Sequence, residues 1–143
     1  MRQFIKEVYL TAFTVLYRVG GAAWSPGLNA GKSVAGIAMI EWLFLIGVWC
    51  WIDVFIRENT LDGISKPVVF VAFFGLCFAN HYPLVILGHG TAFVREFTNL
   101  TKSKRVGLLA GFLATLFAVM AFFICATSMH LKLIHQLNPT HQP

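Results

Sequence analysis

The sequence predicts an all-α integral membrane protein, a bundle of three transmembrane helices with an amino-terminal amphipathic helix in the membrane interface. Of its 143 residues, 57% are hydrophobic and only 12% are charged, whereas about 25% of the residues in soluble domains are charged. The mean hydropathy is +0.71. Three apolar runs are long enough to span a bilayer, and charged residues bound each of them. We therefore expect residues 1–143 to form a single membrane domain.

The first predicted element is an interfacial helix at residues 3–18. Polar residues recur there at steps of three and four, which places them on one narrow stripe of a helix. They are Gln3, Glu7, Thr11, Thr14 and Arg18. Apolar residues fill the remaining surface, so the helix should lie in the cytoplasmic interface with Lys6 and Arg18 reaching the headgroups. A short fourth spanning helix is the alternative, which the charged pair Lys6 and Glu7 disfavours.

The three predicted spans are residues 34–56, 67–89 and 106–128. As a helix, the first would extend about 34 Å, enough to cross a hydrocarbon core of about 30 Å. Beyond the second span, residues 90–101 again place apolar side chains at helical spacing. They predict a cytoplasmic extension of the second helix that folds back onto the interfacial helix.

Basic residues predict the orientation, because cytoplasmic segments beside the spans carry an excess of lysine and arginine. Eight of them precede the first span or lie between the second and third, against three elsewhere. The eight are Arg2, Lys6, Arg18, Lys32, Arg95, Lys102, Lys104 and Arg105, and the three are Arg57, Lys66 and Lys132. The amino terminus and the second loop should therefore be cytoplasmic, with the carboxyl terminus on the opposite side.

Glu41 is the most informative polar residue, because an acid inside an apolar span is costly unless it finds a partner or water. When the spans are aligned, Asn80, His81 and Thr115 fall at a similar depth in the cytoplasmic half of the membrane. We expect these four residues to form one interhelical cluster, with Glu41 and His81 sharing a proton or forming an ion pair. Such a cluster can be a structural tie, a contact for an intramembrane partner, or part of a proton or ion path.

Pro83 and a stripe of small residues indicate how the helices pack. Pro83 lacks an amide donor and crowds the preceding turn, so the second span should kink beside Asn80 and His81. In the third span, small residues form a stripe that permits close helix approach. They are Gly107, Gly111, Ala114 and Ala118. Packing within the bundle is the default interpretation, and docking in a homo-oligomer or on a larger partner is the alternative.

Several function classes find no support in the sequence. Basic residues flank the apolar runs instead of forming a basic face, which argues against nucleic-acid binding. The spacing of His130, His135 and His141 does not place them on one helix face, so we expect no metal site. Asp53 and Arg57, four residues apart, are interpreted as an ordinary exposed pair. Since no nucleophilic arrangement is recognisable, we expect neither an enzyme nor a cofactor.

Two parts of the sequence carry a family resemblance. The first contains FIKEVYLTAFTVLYRV and EWLFLIGVW, and the second contains FFGLCFANHYPLVIL, AFVREFTNL and the basic turn TKSKR. Together they resemble a loose group of uncharacterised small bacterial three-span membrane proteins. Some members of that group are encoded beside polymorphic toxins, which implies an immunity role.

These observations lead to one expected function and two alternatives. We expect a non-enzymatic protein of the bacterial inner membrane, with its amino terminus cytoplasmic and its carboxyl terminus periplasmic. It would act through protein–protein contacts in the bilayer, most concretely as an immunity protein against a membrane-directed toxin. The alternatives are an accessory subunit of a larger membrane complex and a small proton or ion conduit. The expected partners are the lipid bilayer and another membrane protein or toxin.

Overall fold

The computed structural model describes residues 2–19 and 26–137, which are almost entirely helical. In chain order the helices are α1 (Arg2–Arg18), α2 (Pro26–Ile56), α3 (Lys66–His81), α4 (His89–Phe97) and α5 (Lys102–Leu137). A 3₁₀ turn, Leu61–Gly63, lies between α2 and α3, and a π-helical turn, Tyr82–Ile86, follows α3 directly. The predicted all-α class is confirmed, since the described ranges contain no strand.

Three helices are long and apolar enough to cross a membrane. They are Leu28–Ile56, Lys66–Ile86 and Lys102–Leu137, and the 18-residue apolar windows within them have mean hydropathies of 1.9, 1.8 and 2.5. α2 and α5 extend beyond the predicted spans 34–56 and 106–128. The apolar run marks only the part of a helix that suits lipid, whereas backbone hydrogen bonding continues through the polar residues beside it. Residues 20–25 and the residues beyond Leu137, which include His141, lie outside the described residues.

The long helices expose large apolar side chains on the outside of the bundle. Phe55 in α2, Val71 in α3 and Phe117 in α5 are 88%, 72% and 73% exposed. Soluble monomers rarely expose contiguous apolar patches of more than a few hundred Å². The outer surface of the bundle is therefore better suited to an apolar environment than to water.

α2 is the central helix and packs against α1, α3 and α5. α3 and α5 lie on either side of it, and within the described residues they are not among the closely packed helix pairs. α1 packs on the first halves of α2 and α5, and α4 packs on α1. We call this the α1 end of the bundle, and we call the end at the α2–α3 connection the hairpin end.

The buried core lies at the α1 end and is centred on Phe13, which is fully buried. Gly90 of α4 makes this packing possible. A Cβ atom added to Gly90 would lie 2.8 Å from Cε1 of Phe13 and 2.9 Å from the carbonyl oxygen of Leu84. Since the second of these neighbours is backbone, only glycine allows α4 to lie this close to the π-helical turn, with the Phe13 ring of α1 packed beside it.

Polar contacts also hold α1 against its neighbours. Lys104 Nζ of α5 lies 3.4 Å from Glu7 Oε2 of α1. The guanidinium of Arg18 lies 5.7 Å from the centre of the Phe97 ring in α4, within the range of a cation–π contact. The segment that follows the second long helix therefore folds back onto α1.

The centre of the polar stripe on α1 is buried against other helices. Thr11 and Thr14 are fully buried, whereas Gln3 and Arg18 at the two ends of the stripe are exposed. Each buried threonine hydroxyl donates to the carbonyl oxygen four residues earlier, at 2.7 and 3.0 Å. A threonine whose hydroxyl is bonded to its own helix presents its methyl group to the neighbours, so it packs as a small apolar residue.

A π-helical turn accommodates Pro83. One amide beyond it donates to a carbonyl five residues back at 2.9 Å, a wider turn than that of the α-helix. Gly88 then adopts a left-handed conformation with φ = 72°, and α4 begins at the next residue. The segment predicted as a continuation of the helix at residues 90–101 is therefore a separate short helix, His89–Phe97.

The small-residue stripe of α5 faces outward. Gly107, Ala114 and Ala118 are exposed and Gly111 is half-buried. A Cβ atom added to Gly107 would meet nothing within 4 Å. The close approach of α2 and α5 lies instead at Gly47, where an added Cβ atom would lie 2.8 Å from Cε1 of Phe122. A glycine of α2, and not the predicted stripe, therefore brings these two helices together.

Candidate functional site

A groove of about 770 Å³ lies between α3 and α5, with α2 as its floor. α1 lines it at the α1 end. Most of the lining side chains are apolar: Ile5, Val8, Ala12, Ile37, Ile40, Phe44, Leu45, Leu76, Ala79, Pro83, Phe112, Leu116 and Val119. The polar members are Tyr9, Glu41, Asn80 and Thr115. We call this cavity the Glu41 groove, because Glu41 is its only lining residue that can carry a negative charge at neutral pH.

A chain of hydrogen bonds crosses the groove from α1 to α2. The Asn80 amide nitrogen donates to Glu41 Oε2 at 2.6 Å and to the carbonyl oxygen of Leu76 at 3.0 Å. The Tyr9 hydroxyl donates to Asn80 Oδ1. Asn80 is 5% exposed, and these bonds use both of its amide hydrogens. It therefore joins three helices and has no donor left for another group.

Tyr9 is the member of this hydrogen-bond chain that the sequence pattern does not reveal, because it lies on the mainly apolar surface of α1 and not on the polar stripe. Burial raises the pKa of Tyr9 to about 12, and the negative charge of Glu41 adds to the effect. The hydroxyl therefore stays protonated at neutral pH and acts as a hydrogen-bond donor. The sequence signal was the amphipathic nature of tyrosine, whose hydroxyl usually finds a partner when it is buried.

The structure brings together three of the four residues of the predicted cluster. Glu41 and Asn80 are directly bonded, and Thr115 lines the same groove. The Thr115 hydroxyl, however, donates to its own helix, to the carbonyl oxygen of Gly111 at 2.9 Å. His81 lies elsewhere, in a shallow hollow between α2 and α3, so the expected pairing of Glu41 with His81 is not formed. Consecutive helical residues point about 100° apart, and in the orientation that α3 adopts, Asn80 reaches Glu41 while His81 faces the hollow.

Glu41 lies at the midpoint of α2, 15 residues from either end. Its neighbours on the groove side are mainly aliphatic and aromatic, so its charge is poorly compensated by local dipoles. An acid in such a place can accept hydrogen bonds or pair with a cation. The groove residues are suited to recognising a mainly apolar ligand that carries one donor group.

A second polar site at the hairpin end was not predicted. Asp53 of α2 is fully buried, and its Oδ2 atom lies 3.0 Å from Nε2 of His130 in α5. Its Oδ1 atom accepts a hydrogen bond of 2.5 Å from the Thr60 hydroxyl, and Oδ2 accepts bonds from the backbone amides of Thr60 and Leu61 at 3.2 and 3.4 Å. Trp49 donates to the same Thr60 hydroxyl at 2.7 Å. We call this arrangement the Asp53 clasp.

The clasp corrects the interpretation of Asp53 and Arg57 as an exposed pair. Arg57 adopts a left-handed conformation with φ = 58°, just beyond the end of α2, and is itself exposed. The chain reverses there and brings Thr60 back onto Asp53. The available signal was that Asp53 and His130 are both polar residues near the hairpin ends of their helices. Because both oxygens of Asp53 accept hydrogen bonds, the clasp is suited to holding helices together.

The described residues hold no group of three or more potential metal ligands from histidine, cysteine, aspartate and glutamate. Comparisons with known proteins add no assignment. No family model matches the chain, and no curated protein or solved structure shows significant similarity to it.

Proposed function

We propose that this chain is a non-enzymatic, multi-pass protein of the bacterial inner membrane that binds a segment of another membrane protein in the Glu41 groove. Three long apolar helices support the membrane location. One observation carries the binding function: an apolar groove between two of these helices contains a single carboxylate that is only partly hydrogen-bonded. A carboxylate, an amide and a phenol around an apolar groove are suited to recognition.

The charge distribution supports an orientation with the α1 end in the cytoplasm. α1, α4 and the first turn of α5 meet at that end, and they carry Lys6, Arg18, Arg95, Lys102, Lys104 and Arg105. The hairpin end, in contrast, carries Arg57, Lys66 and Lys132. An excess of lysine and arginine marks the cytoplasmic side of membrane proteins.

The most concrete version of the proposal is immunity against a membrane-directed toxin. It is tested by expressing each toxin encoded beside the gene, with and without this protein, and counting surviving cells. We expect the wild-type protein to protect, and Glu41→Ala to protect much less, because the groove loses its acceptor. Glu58→Ala is the matched control: it removes the same group from an exposed loop outside the groove, so protection should be retained.

Failure to protect against every neighbouring toxin would rule out the immunity version. Purification in mild detergent from unstressed cells then separates the remaining possibilities. A stoichiometric complex that forms without any toxin would indicate an accessory subunit of a larger membrane assembly. In that case, Glu41→Ala should release the subunit from the complex, whereas Glu58→Ala should not.

Ion conduction is less well supported, because the two polar sites are far apart. Glu41 and Asp53 are separated by about 18 Å along α2. The intervening residues, WLFLIGVWCWI, are apolar apart from the indole groups. We expect proton flux in vesicles containing the protein to equal that of empty vesicles. Flux above that level that disappears in Glu41→Gln would favour the conduit instead.

A further inference from the structure

The carboxylate of Glu41 has one oxygen engaged and one without a partner. Oε2 accepts the hydrogen bond from Asn80, and within the described residues no hydrogen bond reaches Oε1. Asn80 has no donor to spare, because its second amide hydrogen is bonded to Leu76 and its oxygen accepts from Tyr9. The Asn80 amide therefore cannot donate a hydrogen bond to Glu41 Oε1.

No cation of the described chain neutralises Glu41. Lys104 lies against Glu7 and His130 lies against Asp53, so neither of these basic side chains reaches Glu41. His81, the basic residue nearest in sequence to Asn80, faces the hollow between α2 and α3. A carboxylate in an apolar site is costly without a counter-charge. Charge complementarity therefore indicates that a positive group comes from outside the chain.

The depth of Glu41 decides which kind of molecule can bring that group. Glu41 lies seven residues inside the predicted span 34–56, which is about 10 Å along the helix from the cytoplasmic end of that span. The amine of a lipid headgroup lies at the membrane surface, whereas a residue of a transmembrane helix can be placed at any depth. A helix also suits the groove, whose apolar walls Ile40, Phe44, Leu116 and Val119 match aliphatic side chains.

We propose that the Glu41 groove receives a transmembrane helix of a partner protein that carries one lysine or arginine in the cytoplasmic half of its span, and that this cation pairs with Glu41 Oε1. The inference rests on the proposed binding function and names the chemistry of its partner. Small residues beside the cation would let the partner helix approach α2 between α3 and α5.

The test uses the full-length protein in phosphatidylcholine vesicles and synthetic transmembrane peptides as the probe. The host peptide is a leucine–alanine helix of about 20 residues, labelled with dansyl. Three versions carry lysine, glutamine or leucine about seven residues from one end, which matches the depth of Glu41 in its span. Energy transfer from the tryptophans of the protein, of which Trp42 adjoins Glu41, reports binding. We expect the lysine peptide to bind at least about tenfold more tightly than the leucine peptide.

Glu41→Gln is the critical variant, because its side chain keeps the size and can still accept from Asn80. It should abolish the preference for lysine and leave binding of the leucine peptide unchanged, whereas Glu58→Gln should leave the preference intact. Circular dichroism checks that each variant is folded. A reversed pair, Glu41→Lys with an aspartate peptide, should restore preferential binding.

Three results would overturn the inference. The first is equal binding of the lysine and leucine peptides. The groove would then bind a transmembrane helix, but a cation on that helix would play no part in recognition. The second is a lysine preference that survives Glu41→Gln. The third is that the lysine peptide does not bind, whereas phosphatidylethanolamine binds in a Glu41-dependent manner. The occupant of the groove would then be a lipid. Protection of cells in the immunity assay is independent of all three results, so the proposed function is judged separately.

Discussion

Removing the carboxylate of the Asp53 clasp should destabilise the fold more than any other single change of a charged residue in α2. Asp53→Ala leaves the Thr60 hydroxyl, the Thr60 amide and the His130 imidazole without their acceptor in a buried site. The loop that follows α2 would also lose its anchor, because Thr60 and Leu61 contact α2 through this side chain.

The expected cost can be worked from the lost interactions. Each buried donor that loses its acceptor costs about 1–3 kcal/mol, and Asp53→Ala removes the acceptor of several donors at once. Asp53→Asn keeps an acceptor for Thr60 but loses the charge opposite His130, so its cost should be smaller. Glu58→Ala, which removes an exposed acid from the same loop, should change the unfolding free energy by no more than about 0.5 kcal/mol.

The assay is reversible unfolding of the purified protein in mixed detergent micelles, followed by circular dichroism. A double-mutant cycle with His130→Ala isolates the pair. If Asp53 and His130 act together, the double variant should be clearly more stable than the sum of the two single losses predicts. Strictly additive losses, or a cost of Asp53→Ala below about 1 kcal/mol, would refute the clasp as a stabilising unit.

Three further predictions concern the α1 end. Gly90→Ala should lower the free energy of unfolding by about 1–3 kcal/mol through overpacking. Gly75→Ala should not, because a Cβ atom at Gly75 meets nothing within 4 Å. Thermal unfolding of the two variants measures the difference. The hydrogen bond from Gln3 and the charge of Lys104 lower the pKa of Glu7 below 4.5. The stabilisation of the fold by the Glu7 carboxylate is therefore present above pH 4.5 and is lost as the pH falls further. The loss should be absent in Glu7→Gln. In an alkaline absorbance titration, Tyr9→Phe should remove a transition near pH 12, and Glu41→Gln should retain most of that shift because burial is its larger cause.

The number and order of the long helices could be predicted because hydropathy adds up over about 20 residues, so that no single contact decides the outcome. The helix ends could not be predicted in the same way. α2 begins at Pro26 and runs through Asn29 and Lys32 before it becomes continuously apolar. Nothing in the apolar pattern marks the point at which backbone hydrogen bonding starts.

The depth of the polar residues in the membrane could be predicted from the sequence, but the direction in which each side chain points could not. Counting residues from the ends of the spans placed Asn80 and His81 at the level of Glu41, and Asn80 does contact it. Which of two consecutive residues reaches Glu41 depends on the rotation of α3 about its axis, and that rotation is set by packing. Tyr9 was beyond reach for a related reason, because its contact with Asn80 joins positions 71 residues apart in the chain.

The small-residue stripe of α5 shows the limit of pattern reasoning within one helix. Gly107, Ala114 and Ala118 share a face that would permit close approach, yet α5 turns other residues toward α2. The buried side of α5 includes Leu108, Phe112 and Ala126, and Gly47 on α2 supplies the missing space. Close packing needs a small residue on only one of the two helices, and sequence alone does not say which.

Glu41 and Asp53 are the two acids inside the apolar part of α2, and their different surroundings imply different roles. Asp53 is fully buried, both of its oxygens accept hydrogen bonds, and His130 faces it. Glu41 has one engaged oxygen and a groove beside it. A saturated acid can only hold the fold together, whereas an unsaturated one next to open space can accept a group from another molecule. We therefore expect Asp53→Asn to lower the unfolding free energy with little effect on binding per folded molecule, and Glu41→Gln to weaken binding with little effect on unfolding. If both variants changed the same quantity in the same proportion, the two acids would share one structural role, and the distinction drawn from their hydrogen bonds would fail.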